Sequence, residues 1–234
     1  MKPYTIEQVL TMTEEDIFRA AALIPCKVST YHEEHYLYID NNHPVCLVAH
    51  VDTLKRQGIE PMTCNNVMIN RLGLLGADDR AGVYAALKLA HTGCNILLTD
   101  YEEQGGIGAQ AAAQELQFPG VRLFIELDRQ GCNEYVYYSS SLPQAIKCYV
   151  ESYGYVENYG TYSDISELEG FRIPAVNLSI GYYDQHTRHE RLHLDEMELT
   201  IARVKSMIAN PPDKLHKVRK SRERWDSRSD DSWF

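Results

Sequence analysis

The stretch Val45-Cys-Leu-Val-Ala-His50-Val-Asp52 begins as an apolar, β-favouring run and ends on two polar side chains. Such a run is typical of a buried strand, and residues two apart in a strand face the same side, so His50 and Asp52 should project together. A carboxylate beside a histidine fixes the ring tautomer and raises its basicity, as at many metal sites. On its own, however, such a pair is more often a histidine hydrogen-bonded at a strand end.

Strand and helix patterns alternate around this stretch. The predicted strands cover 36–39, 45–50, 95–99, 121–127 and 175–180. The predicted helices cover 13–24, 79–92, 108–116 and 194–209. Turn residues at 40–44 separate the first two strands, which are predicted to pair as a hairpin. The alternation predicts an α/β fold with three α/β/α layers, in which helices cover both faces of a mostly parallel mixed sheet.

The composition excludes several classes of protein. Of 234 residues, 44% are hydrophobic and 24% charged, which excludes a wholly disordered or fibrous chain. No apolar run approaches the roughly 20 residues that span a bilayer, and the N-terminus lacks the pattern of a secretory signal. A net charge of −10 argues against general nucleic-acid binding. The six cysteines form no CxxC pair, so we expect a cytoplasmic protein with reduced thiols.

Charge divides the chain into two parts, predicted as one domain at 1–212 and a charged, flexible C-terminal tail at 213–234. Pro211-Pro212 ends the preceding helix, and the tail holds seven Lys or Arg against five Asp or Glu. A solubilising tail is the simpler interpretation, and a docking site for a protein partner is the alternative.

Acidic or histidine side chains follow the other predicted strands or open a predicted helix. They are Asp78-Asp79, Glu102-Glu103, Asp128 and His186. Open α/β sheets bind ligands beyond the carboxyl ends of their strands, so we expect these side chains on one rim. Adjacent carboxylates arriving from an apolar segment are costly unless a cation neutralises them, which favours a metal site.

In this order, the motifs resemble the co-catalytic dizinc exopeptidases, which include peptidase T, carboxypeptidase G and the bacterial aminopeptidases. The family's pattern is HxD, Asp-Asp at a helix start, Glu-Glu, Asp, and a late His followed by Ser/Thr and Glu. The matching segments are His50-Val-Asp52, Asp78-Asp79, Glu102-Glu103, Asp128 and His186-Thr187-Arg-His-Glu190. The match spans about residues 45–200, and its spacing is similar to the peptidase T branch.

The resemblance implies two zinc ions bound by five side chains. The implied ligands are His50 and Asp128 at one position, Glu103 and His186 at the other, and Asp78 as the bridge. Glu102 would be the general base, Asp52 would act in catalysis by supporting the first histidine, and the Asp78–Asp79 peptide bond would be cis. Co²⁺ and Mn²⁺ stay open as native metals, because mixed nitrogen and oxygen ligands accept all three.

Three histidines compete for the last ligand position. His186 is preferred because it matches the family's His-Thr-x-x-Glu and lies nearest the strand end. His189 and His193, four residues apart, could form a helical metal pair, but a solvated polar face is the simpler interpretation.

The chain departs from the peptidase T branch in one respect. That branch inserts a dimerising domain between the Asp ligand and a Ser-Asp segment, whereas only 36 residues separate Asp128 from Asp164. The resemblance is therefore to the catalytic domain alone, without the family's lid histidine. A hydroxyl from Tyr162, Tyr182 or Tyr183 could stabilise the oxyanion instead.

We expect residues 1–212 to be a zinc-dependent hydrolase of amide bonds in small peptides or N-acyl amino acids. A metal-bridged hydroxide would be the nucleophile. The alternative is a non-catalytic binding or assembly protein that retains the fold, and a cyclic-amide hydrolase would share the same site. No nucleic-acid or membrane partner is expected, and the oligomeric state and the choice among aminopeptidase, carboxypeptidase and deacylase stay open.

Overall fold

The computed structural model describes residues 4–54 and 58–218, which form six α-helices, two 3₁₀ helices and twelve strands. The α-helices are α1 (Ile6–Thr11), α2 (Glu14–Ala22), α3 (Ala77–Leu89), α4 (Ile107–Glu115), α5 (Gln144–Glu151) and α6 (Leu194–Ala209). The 3₁₀ helices are Ala90–Thr92 and Asp164–Phe171. The strands are β1 (Ser29–His32), β2 (Tyr36–Asp40), β3 (Val45–His50), β4 (Pro61–Cys64), β5 (Val67–Asn70), β6 (Asn95–Thr99), β7 (Leu123–Arg129), β8 (Glu134–Val136), β9 (Val156–Glu157), β10 (Ala175–Ser179), β11 (Tyr182–Tyr183) and β12 (Arg191–His193).

Eight strands form the main sheet, in the order β1-β2-β6-β3-β7-β10-β8-β9. The four central strands, β6, β3, β7 and β10, are parallel to one another. The flanking strands β2 and β8 are antiparallel to their inner neighbours. The carboxyl ends of the four central strands therefore meet at one edge of the sheet.

Each face of the sheet has its own hydrophobic core, because successive side chains of a strand point to opposite faces. Leu47 and Ile125 pack on the face covered by α1, α3 and α6. Val48 and Phe124 pack on the other face, with α4 and the Asp164–Phe171 helix. Helices thus cover both faces, and the predicted three-layer α/β/α class is confirmed.

The prediction of a hairpin between the first two predicted strands is wrong, because β6 lies between β2 and β3. Asn95, the first residue of β6, stabilises the observed order. Its side-chain oxygen accepts hydrogen bonds from the backbone N–H groups of Asn41, at 2.8 Å, and His43, at 3.2 Å. The connection therefore passes over the end of β6 instead of closing a tight turn.

A second sheet, β11-β12-β5-β4, was not predicted from the sequence, and its strands are antiparallel to their neighbours. The 184–190 loop joins β11 to β12, and β5 leads into the segment that precedes α3. This small sheet therefore connects two of the segments that carry predicted site residues.

The chain from Asp128 to Asp164, which is described throughout, forms only the end of β7, then β8, α5 and β9 before the second 3₁₀ helix. These elements extend the main sheet, so the domain inserted in the peptidase T branch is absent from this segment. No helix in the described ranges is long and apolar enough to cross a membrane.

The first residues of the predicted tail lie against the domain. Arg122 Nη1 donates hydrogen bonds to the carbonyls of Pro212, at 2.9 Å, and Asp213, at 2.7 Å. Val218 is buried, and its N–H donates to the carbonyl of Arg172 at 3.0 Å. Residues 219–234 lie outside the described residues, so the division of the chain at residue 212 stays a prediction.

Candidate metal centre

The predicted site residues come together at the edge where β3, β6 and β7 end. His50 is the last residue of β3, and the Glu102-Glu103 pair follows β6. Asp78 reaches this edge from the beginning of α3, where the Asp78–Asp79 peptide bond is cis, as the resemblance implies. The remaining two are Asp128 near the end of β7 and His186 in the loop between β11 and β12.

The first group of ligand atoms surrounds the buried ring of His50. Its Nε2 lies 3.1 Å from Asp78 Oδ1 and 3.6 Å from Asp128 Oδ1. On the other side of the ring, Nδ1 lies 3.2 Å from Asp52 Oδ1 and 3.1 Å from the Asp52 carbonyl oxygen. Nε2 thus faces the two carboxylates while Nδ1 contacts Asp52. Proteins orient metal-binding histidines by such a contact to the second ring nitrogen.

The second group contains Asp78, Glu103 and His186. His186 Nε2 lies 3.2 Å from Asp78 Oδ2 and 2.7 Å from Glu103 Oε1. Asp78 therefore takes part in both groups, with Oδ1 facing His50 and Oδ2 facing His186. A carboxylate with one oxygen in each group has the arrangement of a bridge between two cations.

The donor atoms fit metal ions. Glu103 Oε1 is buried, and its contact with His186 Nε2 at 2.7 Å lacks hydrogen-bond geometry, although a buried acceptor that receives no hydrogen bond is costly. A cation bound by Asp78, Glu103 and His186 would satisfy this oxygen, and the three ligand atoms lie within 4.8 Å of one another. Imidazole and carboxylate ligands without thiolates are typical of catalytic zinc sites.

Asp79 also lies within ligand distance of His50 and Asp128, but its oxygens are engaged elsewhere. Oδ2 accepts a hydrogen bond from the backbone N–H of His50 at 3.3 Å, and Oδ1 accepts one from Gly82 at 2.9 Å. Gly82 permits this contact because a side chain there would overlap the Asp79 carboxylate and the carbonyl oxygen of Leu127. Asp78 is therefore the better candidate ligand of the two aspartates, although the ligand atoms of Asp79 also group with those of His50 and Asp128.

Carboxylates outnumber cationic groups in the centre, and their pKa values reflect this crowding. Burial raises the pKa of Glu102 to about 8, and the neighbouring Asp128 carboxylate also raises it. Burial and the charge of Asp78 raise the pKa of Asp128. The contact with Asp78 raises the pKa of His186 to about 9. Divalent cations would neutralise this excess of negative charge.

Asp52 also contacts residues other than His50. Its Oδ1 accepts a hydrogen bond from the backbone N–H of Glu102 at 3.0 Å, and its Oδ2 accepts one from Glu103 at 3.2 Å. The sequence pattern predicted the contact with His50 but not these two, because the glutamates lie 50 residues further along the chain. Asp52 therefore positions both His50 of the first group and the backbone of Glu103, a member of the second group.

Glu190 was predicted only as the last residue of the His-Thr-x-x-Glu motif, without a task of its own. Its buried carboxylate accepts hydrogen bonds from three backbone N–H groups of the segment that leads to Asp78. The motif spacing is the only signal in the sequence that singles out this residue.

The other two histidines of this segment make contacts outside the centre. His189 Nε2 accepts a hydrogen bond from Arg188 Nε at 3.3 Å. His193 Nδ1 lies 3.7 Å from Glu196 Oε1. The structure thus brings His186 into the centre and leaves the alternative pair outside it.

The three tyrosines considered as oxyanion donors have separate partners. Tyr182 is buried and donates its hydroxyl hydrogen to Asp128 Oδ1 at 3.1 Å. Tyr183 donates to Glu196 at 2.6 Å, and Tyr162 donates to Glu167 at 3.0 Å. Of the three, Tyr182 is therefore the one that contacts a predicted ligand.

A cleft of about 370 Å³ opens onto the centre, a size typical of sites for small ligands. Asp78, Glu102, Asp128 and His186 line it, together with residues 159–162. A larger groove of about 650 Å³ lies between α2 and the end of α3; none of the predicted site residues lines it, and its lining is mainly apolar. The predicted site residues therefore line the smaller cleft and not the larger groove.

No family model matches the sequence, and no curated protein matches it significantly. Solved structures do share its fold. An aminopeptidase PepT from Bacillus cereus is 14% identical with a TM-score of 0.68, covering 87% of this chain and 96% of that chain. A tripeptidase from Staphylococcus aureus is 15% identical with a TM-score of 0.67 over the same shares. A TET aminopeptidase from a marine sediment archaeon of the Thaumarchaeota is 12% identical with a TM-score of 0.65, covering 87% and 94%. At these identities the likeness establishes the fold, and the predicted resemblance is confirmed at that level.

Proposed function

We propose that this chain, which has the catalytic-domain fold of the dizinc exopeptidases, is a metal-dependent hydrolase of amide bonds in small peptides or N-acyl amino acids. The observation that carries the proposal is the position of Asp78, whose two oxygens lie 3.1 Å from His50 Nε2 and 3.2 Å from His186 Nε2. The names of the similar structures, an aminopeptidase and a tripeptidase among them, support peptides as the substrate class.

Five side chains would hold two Zn²⁺ ions, with Co²⁺ or Mn²⁺ as alternatives. The proposed ligands are His50 and Asp128 at the first position, Glu103 and His186 at the second, and Asp78 between them. When bound, such metals lower the pKa of water toward about 7 and so supply hydroxide at neutral pH.

Glu102 is the proposed general base. It lines the cleft beside Asp78 and Asp128 but belongs to neither group of ligand atoms. A carboxylate in this position can take a proton from the attacking water and pass it to the leaving amine. The hydrogen bond from the backbone N–H of Glu102 to Asp52 fixes the backbone position from which the Glu102 side chain extends.

The segment beside the cleft bears on substrate selection. The segment between Asp128 and Asp164 forms no second domain over the cleft, so we expect loose selection among substrate side chains.

All six cysteines lie in the described ranges and are unpaired, which is consistent with the proposed cytoplasmic location.

The test is hydrolysis of a panel of dipeptides, tripeptides and N-acyl amino acids by the zinc-loaded protein. Asp78→Asn serves as the inactive comparison, and Glu198→Gln, which removes an exposed carboxylate paired with Lys88, serves as the control. We expect the wild type and the control to release product and Asp78→Asn to release none. Zinc binding without hydrolysis of any member would contradict the proposed activity and favour a binding protein.

A further inference from the structure

Glu190 lies outside both groups of proposed ligands, yet it holds the backbone that carries Asp78. Its Oε2 accepts hydrogen bonds from the N–H groups of Leu75, at 2.9 Å, and Gly76, at 2.7 Å. Its Oε1 accepts one from the N–H of Asp78 at 3.1 Å. With 1% of its surface exposed, Glu190 makes these bonds out of contact with water.

These N–H groups belong to the segment that leads into α3, where Asp78 and Asp79 still have non-helical backbone angles. Buried N–H groups outside a regular helix need acceptors from elsewhere. Gly76 adopts a left-handed conformation, with φ of 73°, immediately before the helix. The carboxylate of Glu190 supplies acceptors for three of these N–H groups. The Glu190 side chain therefore stabilises the conformation of the segment that presents Asp78.

Glu190 also belongs to the loop that carries His186, four residues earlier in the chain. It thereby joins the two segments that supply Asp78 and His186, whose facing atoms lie 3.2 Å apart. Asp52 has the comparable task on the other side of the centre, where it contacts His50 and the backbone of Glu103.

We propose that Glu190 is a positioning residue for the metal position formed by Asp78, Glu103 and His186, and that metal affinity there depends on both of its carboxylate oxygens. The inference rests on the proposed metal site and is independent of the reaction. Two buried carboxylates that bind no metal, Asp52 and Glu190, would then hold the two halves of the centre.

Glu190→Gln separates this role from packing. Glutamine has nearly the same shape but only one acceptor oxygen, and its NH₂ group donates hydrogen bonds. If the oxygen faces Leu75 and Gly76, the NH₂ group faces the N–H of Asp78. If the amide is turned the other way, the NH₂ group faces the two preceding N–H groups. In either orientation at least one buried donor loses its acceptor.

The experiment is a zinc titration of the metal-free full-length chain. Zinc binding is measured by calorimetry and, separately, by competition with a chromophoric chelator. Loss of a supporting residue outside the ligand set typically lowers metal affinity by about 10–100-fold. We expect Glu190→Gln to weaken at least one of two zinc-binding steps by this factor. Glu198→Gln, which alters a carboxylate paired with Lys88 of the same helix α3, should titrate like the wild type.

Unchanged zinc affinity in Glu190→Gln would overturn the inference, even if the metal-free variant melts at a lower temperature, because Glu190 would then be purely structural. If Glu190→Gln does not fold, Glu190→Asp replaces it. Aspartate keeps both oxygens on a shorter side chain, so reduced affinity is expected and wild-type affinity would overturn the inference. Because the titration uses no substrate, a chain that binds two zinc ions but hydrolyses nothing would refute the proposed activity alone.

Discussion

Replacing Glu102 by glutamine tests the proposed division of tasks between two adjacent glutamates. Glu102 lines the cleft but belongs to neither ligand group, and its backbone N–H, 3.0 Å from Asp52 Oδ1, is unaffected by the change. Glutamine preserves the shape of the side chain and removes the proton acceptor. We therefore expect Glu102→Gln to fold normally and to keep both metal ions.

The loss should appear in turnover. General acid–base catalysis contributes about 10²–10⁴-fold to the rate. At about 1.36 kcal/mol per factor of ten, this corresponds to about 3–5 kcal/mol of transition-state stabilisation. Because the proposed task of Glu102 is proton transfer and not substrate binding, kcat should fall by this factor while KM changes little.

Glu103→Gln is the matched substitution one residue further along the chain. Glu103 Oε1 lies 2.7 Å from His186 Nε2, and a carboxamide is a poor metal ligand, so this variant should lose one ion. The assay measures kcat for peptide hydrolysis and zinc content on the same preparations. Loss of metal from Glu102→Gln with full retention in Glu103→Gln would show that the roles are swapped. Full activity of Glu102→Gln would refute the proposed general base.

Asp78→Ala should lose both ions, measured as metal content after dialysis, because its two oxygens face different groups; full metal content would contradict the bridge. His186→Ala should lower metal content and activity far more than His189→Ala, and equal effects would indicate a general disturbance of their loop. Asp52→Asn should weaken zinc binding by about 10–100-fold, because it supports His50 from behind; a titration that matches the wild type would argue against this support. Chelation should abolish peptide hydrolysis and added zinc should restore it, so activity that survives complete metal removal would contradict metal dependence.

The ordered motifs predicted which side chains meet. His50, the Glu102-Glu103 pair and Asp128 lie at the ends of central parallel strands, Asp78 lies at the beginning of α3, and His186 lies in the loop after β11. His50 at the end of β3 and Asp128 near the end of β7 reach the same edge for this reason. The sequence pattern also separated His186 from its neighbours His189 and His193. Strand ends indicated the shared edge, whereas the ligand roles and the preference for His186 depended also on the resemblance to the dizinc exopeptidases.

Strand pairing needed information that local patterns do not contain. Turn residues at 40–44 correctly predicted a reversal of the chain, but not that β6 would occupy the space between β2 and β3. The side chain of Asn95, more than 50 residues away, stabilises this arrangement by accepting hydrogen bonds from the connection. The short strands of the second sheet were missed because each has few residues and a weak alternation.

The supporting carboxylates were the hardest part of the site to predict. Glu190 lies 115 residues from Leu75, so its hydrogen bond to that residue leaves no trace in any local window. The contacts of Asp52 with the Glu102-Glu103 backbone are similarly remote. Residues that bind through backbone N–H groups leave no complementary side chain elsewhere in the sequence, so only the folded structure shows their partners.

The proposed position of Asp78 between two cations can be tested directly. Crystals of the zinc-loaded protein, measured on both sides of the zinc absorption edge, would locate each ion by its anomalous scattering. We predict two zinc peaks, each about 2.0–2.2 Å from a different oxygen of Asp78. One peak should contact His50 and Asp128, and the other should contact Glu103 and His186. A single peak, or two peaks of which one does not touch Asp78, would contradict the bridged centre.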